Sequence, residues 1–178
     1  SCSLALKWPN DVFCDGLKLG GILVELVLPP TSAGLDGRWH RSIHDPIHEE
    51  GGVVIGVGLN LTGDGSVLPG TATSLHRHRA PLPPFDELRD SVASRLAGGL
   101  GRRLACFADD PAAAAARWRG EIVPACWTLG RRVRVHPVSG DDLIGTAESL
   151  NADASLTVRD EQGIGHVVRT GDVGVLAG

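Results

Sequence analysis

The sequence predicts an α/β (α+β) chain that ends in a small barrel of antiparallel strands. Three observations point there. Apolar runs near the start are punctuated by an Asp-Gly pair, two helical stripes follow between residues 85 and 122, and beyond Pro124 and Gly130 the texture changes to short strands and turns. That change of texture divides the chain into residues 1–123 and 124–178.

Residues 4–7 read as the end of a strand. Pro9 forces an extended backbone at Trp8 and lacks an N–H donor, and Asn10 and Asp11 are turn formers. Residues 12–14 and 17–26 flank Asp15-Gly16, a strong hairpin signal between two apolar runs. Lys7, Asn10, Asp11 and Lys18 are therefore expected on neighbouring strand ends. Residues 29–52 are polar, open on prolines and carry glycines at both ends, and read as an exposed connection. Within them His40, His44 and His48 recur every four positions, which on a helix would offer a metal face. Pro46 interrupts that pattern, so they read as solvated loop histidines.

The run VVIGVGLNL, residues 53–61, is continuously apolar and predicts a buried central strand. With a side-chain period of two, Gly56, Gly58 and Asn60 share one face. Glycine in a strand marks close approach of a ligand or of another backbone. An amide on the same face can pair with the edge of a planar base. The other reading is tight packing against a helix, with Asn60 merely ending the strand. The spacing leaves both open.

Residues 62–84 read as loop and contain TATSL. Residues 85–107 read as a helix, with Phe85, Leu88, Val92, Leu96 and Leu100 on one stripe. Gly98, Gly99 and Gly101 weaken its last turns by up to about 1 kcal/mol each. Pro111 opens a second helix that runs to about Ile122. RRVRVH, LIGTAESL, SLTVRD and HVVRTGDVGVL then read as four or five short strands of the barrel. The Arg and Val alternation at 131–135 fits a sheet with one solvated face, and the acidic residues that follow argue against a nucleic-acid surface.

The chain has 178 residues and a net charge of −4 at pH 7, with no basic block, which speaks against nucleic acid as a partner. No stretch approaches the roughly 18 apolar residues of a membrane span, and no secretory signal opens the sequence. Four cysteines without a CxxC pair read as reduced side chains, and a cytoplasmic location is expected. The sequence contains no methionine and enters in mid-pattern, so an N-terminally truncated piece of a longer protein is expected.

KWPND at 7–11, KLGGILVE at 18–25, VVIGVGLNL and then TATSL at 71–75 resemble, in order and spacing, the biotin protein ligase family. TLGRRVRV at 128–135 looks like the lead-in to that family's SH3-like terminal domain. The resemblance implies a catalytic domain similar to class II aminoacyl-tRNA synthetases, followed by an SH3-like β-barrel. It implies a two-step reaction. Biotin and ATP with Mg²⁺ give biotinyl-5′-AMP and pyrophosphate, and a lysine of a biotin carboxyl carrier protein or domain then takes the biotinyl group.

By the same resemblance Lys18 and Lys7 are the catalytic cations. Lys18, Gly20 and Gly21 meet biotin, and Asn10, Asp11, Gly56, Gly58 and Asn60 meet the nucleotide, with Asp11 a candidate Mg²⁺ ligand. Trp8 reads as a packing residue. The family's GRGRxG segment upstream of KWPND is not in this sequence. A non-catalytic nucleotide- or carrier-binding remnant is therefore the alternative, and lipoate or octanoyl transfer on the same fold a third reading. The resemblance is compatible with a homodimer.

Overall fold

A computed structural model describes residues 3–27, 52–63, 67–137 and 140–176. The first sheet holds β1 (Leu4–Lys7), β2 (Asp11–Cys14), β3 (Leu17–Val27) and β4 (Gly52–Leu59), antiparallel and in sequence order. Asp15 and Gly16 turn β2 into β3 with positive φ at both positions, as the tightest hairpin turn requires. The expected hairpin is thus formed, with Cys14 opposite Leu17.

β4 departs from the expectation of a buried central strand. Among the described residues it pairs only with β3 and forms the edge of the sheet. Val53, Val54 and Val57 are exposed, as are Leu23, Val24 and Leu26 beside them. An apolar run reports that both faces of a strand suit burial, not what covers them. The histidines of residues 29–52 lie outside the described residues.

The segment read as loop between β4 and the long helix contains a short helix, α1 (Leu75–Arg79). α2 (Phe85–Asp109) continues through its three glycines, and α3 (Pro111–Ala125) starts on the expected proline. Asp110 caps α3 by accepting from the Ala113 N–H at 3.0 Å. Pro124 falls inside the last turn of α3.

Five strands follow: β5 (Arg132–His136), β6 (Leu143–Leu150), β7 (Leu156–Asp160), β8 (Gly165–Val168) and β9 (Asp172–Val175). They form one antiparallel sheet in the order β8-β7-β6-β5-β9. Val133, Val135, Ala147, Leu156, Val158 and Val173 alternate onto one face and are almost fully buried. The arginines between them face water: Arg132 pairs with Glu161, and Arg159 is held by both oxygens of Glu148.

Trp8 joins the two sheets. Its ring belongs to the core of the second sheet, its Nε1–H donates to the Ala154 carbonyl at 2.9 Å, and its backbone N–H donates to the buried Thr128 hydroxyl at 2.9 Å. Beside it Leu6 bridges Cys126, and the Trp127 N–H donates to the Leu6 carbonyl at 2.8 Å. The expectation of four reduced cysteines does not hold at Cys14, which is disulfide-bonded; Cys106 and Cys126 are free.

Candidate functional site

Register brings the predicted residues together. Lys7 lies opposite Asp11, Asp11 opposite Gly21, and Gly21 opposite Gly58. Directly opposed residues of antiparallel strands point to the same face. One row therefore crosses all four strands, with Lys7 and Asp11 at one side and two glycines at the other. Gly56, opposite Leu23, follows on the same face. A Cβ added at Gly58 would meet nothing within 4 Å, and one at Gly56 only Leu23, at 3.8 Å. The glycines thus leave a flat floor beside a charged cluster.

Asp11 anchors that cluster. Its Oδ1 lies 2.6 Å from Lys18 Nζ and its Oδ2 lies 3.4 Å from Lys7 Nζ. Lys7 and Asp11 are largely buried, whereas the Lys18 side chain is 48% exposed. Two ammonium groups on one carboxylate leave net positive charge at the edge of the floor. Lys18 is half-exposed and Asp11 keeps Lys7 as a partner, so Lys18 can turn from Asp11 to an anionic ligand at small cost. A cavity of about 380 Å³ opens beside this cluster, lined by Lys7, Asp11, Lys18, Thr71 and Trp127. A second, of about 480 Å³, lies past Lys7 and Asn10 and reaches Asp153 and Arg169 of the second sheet. Hydrogen bonds from Ser155 hold the Asp153 carboxyl below the usual carboxylate range.

Both Asp11 carboxylate oxygens face ammonium groups, so a Mg²⁺ at Asp11 would require Lys18 to turn away first.

The other predicted residues have local work. Gly20 points to the opposite face, where an added Cβ would stand 2.2 Å from the Gly58 carbonyl oxygen. Close approach of β4 accounts for that glycine. Asn10 clasps Ile22: its side-chain amide donates to the Ile22 carbonyl at 3.0 Å, and its own carbonyl accepts the Ile22 N–H at 2.9 Å. Asn60 follows β4, and its side-chain amide donates to the Thr73 carbonyl at 3.0 Å.

Sequence reading missed Thr73 and His78. TATSL does not hang free: the Lys18 N–H donates to the Thr71 carbonyl at 3.0 Å, and the Thr73 N–H donates to the Lys18 carbonyl at 2.8 Å. Thr73 is 1% exposed and its hydroxyl lies 2.8 Å from His78 Nε2. His78 Nδ1 lies 3.1 Å from Asp15 Oδ2.

No protein-family model matches the chain. A curated Mycobacterium tuberculosis protein named biotin--[acetyl-CoA-carboxylase] ligase is 33% identical over 168 residues, covering 94% of this chain. The chain spans about half, 52%, of the length of that relative. The apo structure of a biotin protein ligase from Aquifex aeolicus matches with a TM-score of 0.65 at 18% identity, over 97% of this chain and 66% of that one. The Aquifex aeolicus ligase in complex with biotin and ATP matches with a TM-score of 0.63 at 18% identity, over 98% and 62%. In sequence the chain is similar to a biotin--[acetyl-CoA-carboxylase] ligase, and in fold it is similar to biotin protein ligases.

Proposed function

We propose that this chain carries the acid-activating site of an ATP-dependent ligase that converts biotin to biotinyl-5′-AMP and transfers it to a lysine of a biotin carboxyl carrier protein or domain. Lys18 beside Asp11, at the edge of a floor made of Gly21, Gly56 and Gly58, is the observation that carries this reading. A relative of the same fold holds biotin and ATP together.

The chemistry needs what these residues offer. A biotin carboxylate oxygen attacks the α-phosphorus, the bond to the β-phosphate breaks, and pyrophosphate leaves. Both reactants are anions, so fixed cations lower their repulsion and stabilise the charge that develops. Lys18, half-exposed and mobile between Asp11 and a ligand, meets the biotin carboxylate and the phosphate. Lys7, held by Asp11 and stacked toward Phe13 at 6.0 Å, supplies a fixed charge behind it. Gly21 and its neighbours let the flat bicyclic acid lie on the sheet. Gly58 and Asn60 face the nucleotide, with Asn10 and Asp11 shaping the entry to the cavity beside them. In the second step the carrier lysine attacks the acyl carbon, AMP leaves, and the amine gives up its proton. Mg²⁺ bound with ATP would neutralise charge on the triphosphate, and Asp11 would be the carboxylate within this cluster to meet it once Lys18 turns to the ligand.

Residues 124–178 form the SH3-like terminal domain in this reading, residues 1–123 belong to the catalytic domain, and the setting is cytoplasmic. A second reading, ligand binding without turnover, is favoured by the bare floor: Leu23, opposite Gly56 on the same face, is exposed. Biotin-dependent exchange of ATP with labelled pyrophosphate, followed by transfer to a carrier domain, separates the two. Exchange supports the ligase, and binding of biotinyl-5′-AMP without exchange supports the second reading.

A further inference from the structure

We infer that His78 is a positioning residue: through the buried hydroxyl of Thr73 it fixes both Lys18 and Asn60, and so couples the acid end of the site to the nucleotide end. This rests on the functional reading above. Thr73 stands at a junction. Its N–H donates to the Lys18 carbonyl at 2.8 Å, its carbonyl accepts from the Asn60 amide at 3.0 Å, and its hydroxyl meets His78 Nε2 at 2.8 Å. One residue thus touches the backbone of one candidate site residue and the side chain of the other.

The far end of this relay is anchored on the hairpin. His78 Nδ1 lies 3.1 Å from Asp15 Oδ2, and Asp15 is the first turn residue between β2 and β3, the strands that carry Asp11 and Lys18. A carboxylate only accepts, so Nδ1 carries a proton toward Asp15. In a neutral ring Nε2 then accepts the Thr73 hydroxyl proton. The order Asp–His–hydroxyl is that of a nucleophile relay, but Thr73 is 1% exposed, too buried for its oxygen to serve as a nucleophile. The same polarity instead holds a backbone. Ser74 supports this, being fully buried with its hydroxyl donating to the Gly63 carbonyl at 2.8 Å. Without the relay, segment 71–75 keeps its ladder bonds to Lys18 but loses the side-chain tie to the hairpin that orients it.

Thr73→Val keeps the shape and removes the hydroxyl, Thr73→Ser keeps the hydroxyl, and His78→Ala removes the ring. Two measurements on the full chain separate this inference from the reading it rests on. The first needs no ligand: amide hydrogen exchange at Lys18 and Leu75, whose N–H groups donate to Thr71 and Asn60. It should quicken about tenfold in Thr73→Val and His78→Ala and stay near wild type in Thr73→Ser, with the amides of β5–β7 unchanged. The second is calorimetric titration with biotinyl-5′-AMP. Thr73→Val and His78→Ala should each weaken binding about tenfold, and Lys18→Ala combined with His78→Ala should be little worse than Lys18→Ala alone.

Unchanged exchange at Lys18 in folded His78→Ala, or Thr73→Ser behaving like Thr73→Val, overturns the positioning role. So does full additivity of Lys18→Ala and His78→Ala. If the wild-type chain is folded and binds no adenylate, the functional reading fails, and the exchange data still decide whether His78 fixes Lys18.

Discussion

Lys18 Nζ lies 2.6 Å from Asp11 Oδ1, although the two residues sit on different strands and Asp11 faces Gly21 in the register. The contact is a reach along one face of the sheet, and it parks a half-exposed cation at the edge of a glycine floor. Removing the carboxylate should therefore do more than removing Lys18. Asp11→Ala leaves Lys7, largely buried, facing Lys18 without a counter-charge, and should cost about 1–3 kcal/mol. Lys18→Ala should leave stability within about 0.5 kcal/mol. Urea unfolding of the two variants checks the order. An equal or larger loss for Lys18→Ala would mean that the pair is structural.

Two glycines on paired strands should behave oppositely. Gly20→Ala drives a methyl to within 2.2 Å of the Gly58 carbonyl oxygen and should loosen the β3–β4 ladder, at a cost of about 1–3 kcal/mol. Gly58→Ala meets nothing within 4 Å and should fold normally, while its methyl raises the floor and weakens biotinyl-5′-AMP. Melting temperature and calorimetry read the two effects separately. A Gly58→Ala chain that binds as well as wild type would remove Gly58 from the site.

Trp8 sits in the core of the second sheet while its neighbours Lys7 and Asp11 hold the first. Trp8→Ala should cost about 3–5 kcal/mol and Thr128→Val about 1–3 kcal/mol, since each leaves a polar group without its partner. Chemical denaturation followed by tryptophan fluorescence and by far-ultraviolet dichroism tests the joint. Loss of stability confined to one of two separable transitions would contradict it.

Acid should loosen the second sheet through Asp160. The hydrogen bond from His166 holds its carboxyl below the usual range, and the Ile164 and Gln162 N–H groups add to it. A group depressed in the folded state stabilises above its unfolded value, about 4, and loses that contribution as pH falls through the folded value. Asp160→Asn should flatten the acid limb of the stability profile below about pH 4. A limb as steep as in wild type would mean that other carboxylates govern it.

Much of this was legible in the sequence where local chemistry decides structure. Asp15-Gly16 forced its turn because few residue pairs accept positive φ twice, and Pro111 marked a helix start by the donor it lacks. Four or five short strands were legible from apolar runs broken by turn residues, and five are formed. The position of β4 was not legible, because an apolar run does not name its neighbours. Nor was the work of His78. It touches Asp15 across the chain and Thr73 five residues back, and nothing in the spacing of TATSL predicts a helix that turns an imidazole toward it. Asn10 and Asn60 show the same limit from the other side: both lie beside the site, yet their amides donate to backbone carbonyls.

The most direct test of the Lys18 site is calorimetric titration of biotinyl-5′-AMP into the chain and into Lys18→Ala. The expected result is saturable binding by the wild-type chain and a loss of at least about tenfold in the folded variant, as removal of a charge-assisted contact to an anion requires. Equal affinity in both, or no binding by a folded wild-type chain, would contradict the assignment of this cluster to the acid-activating site.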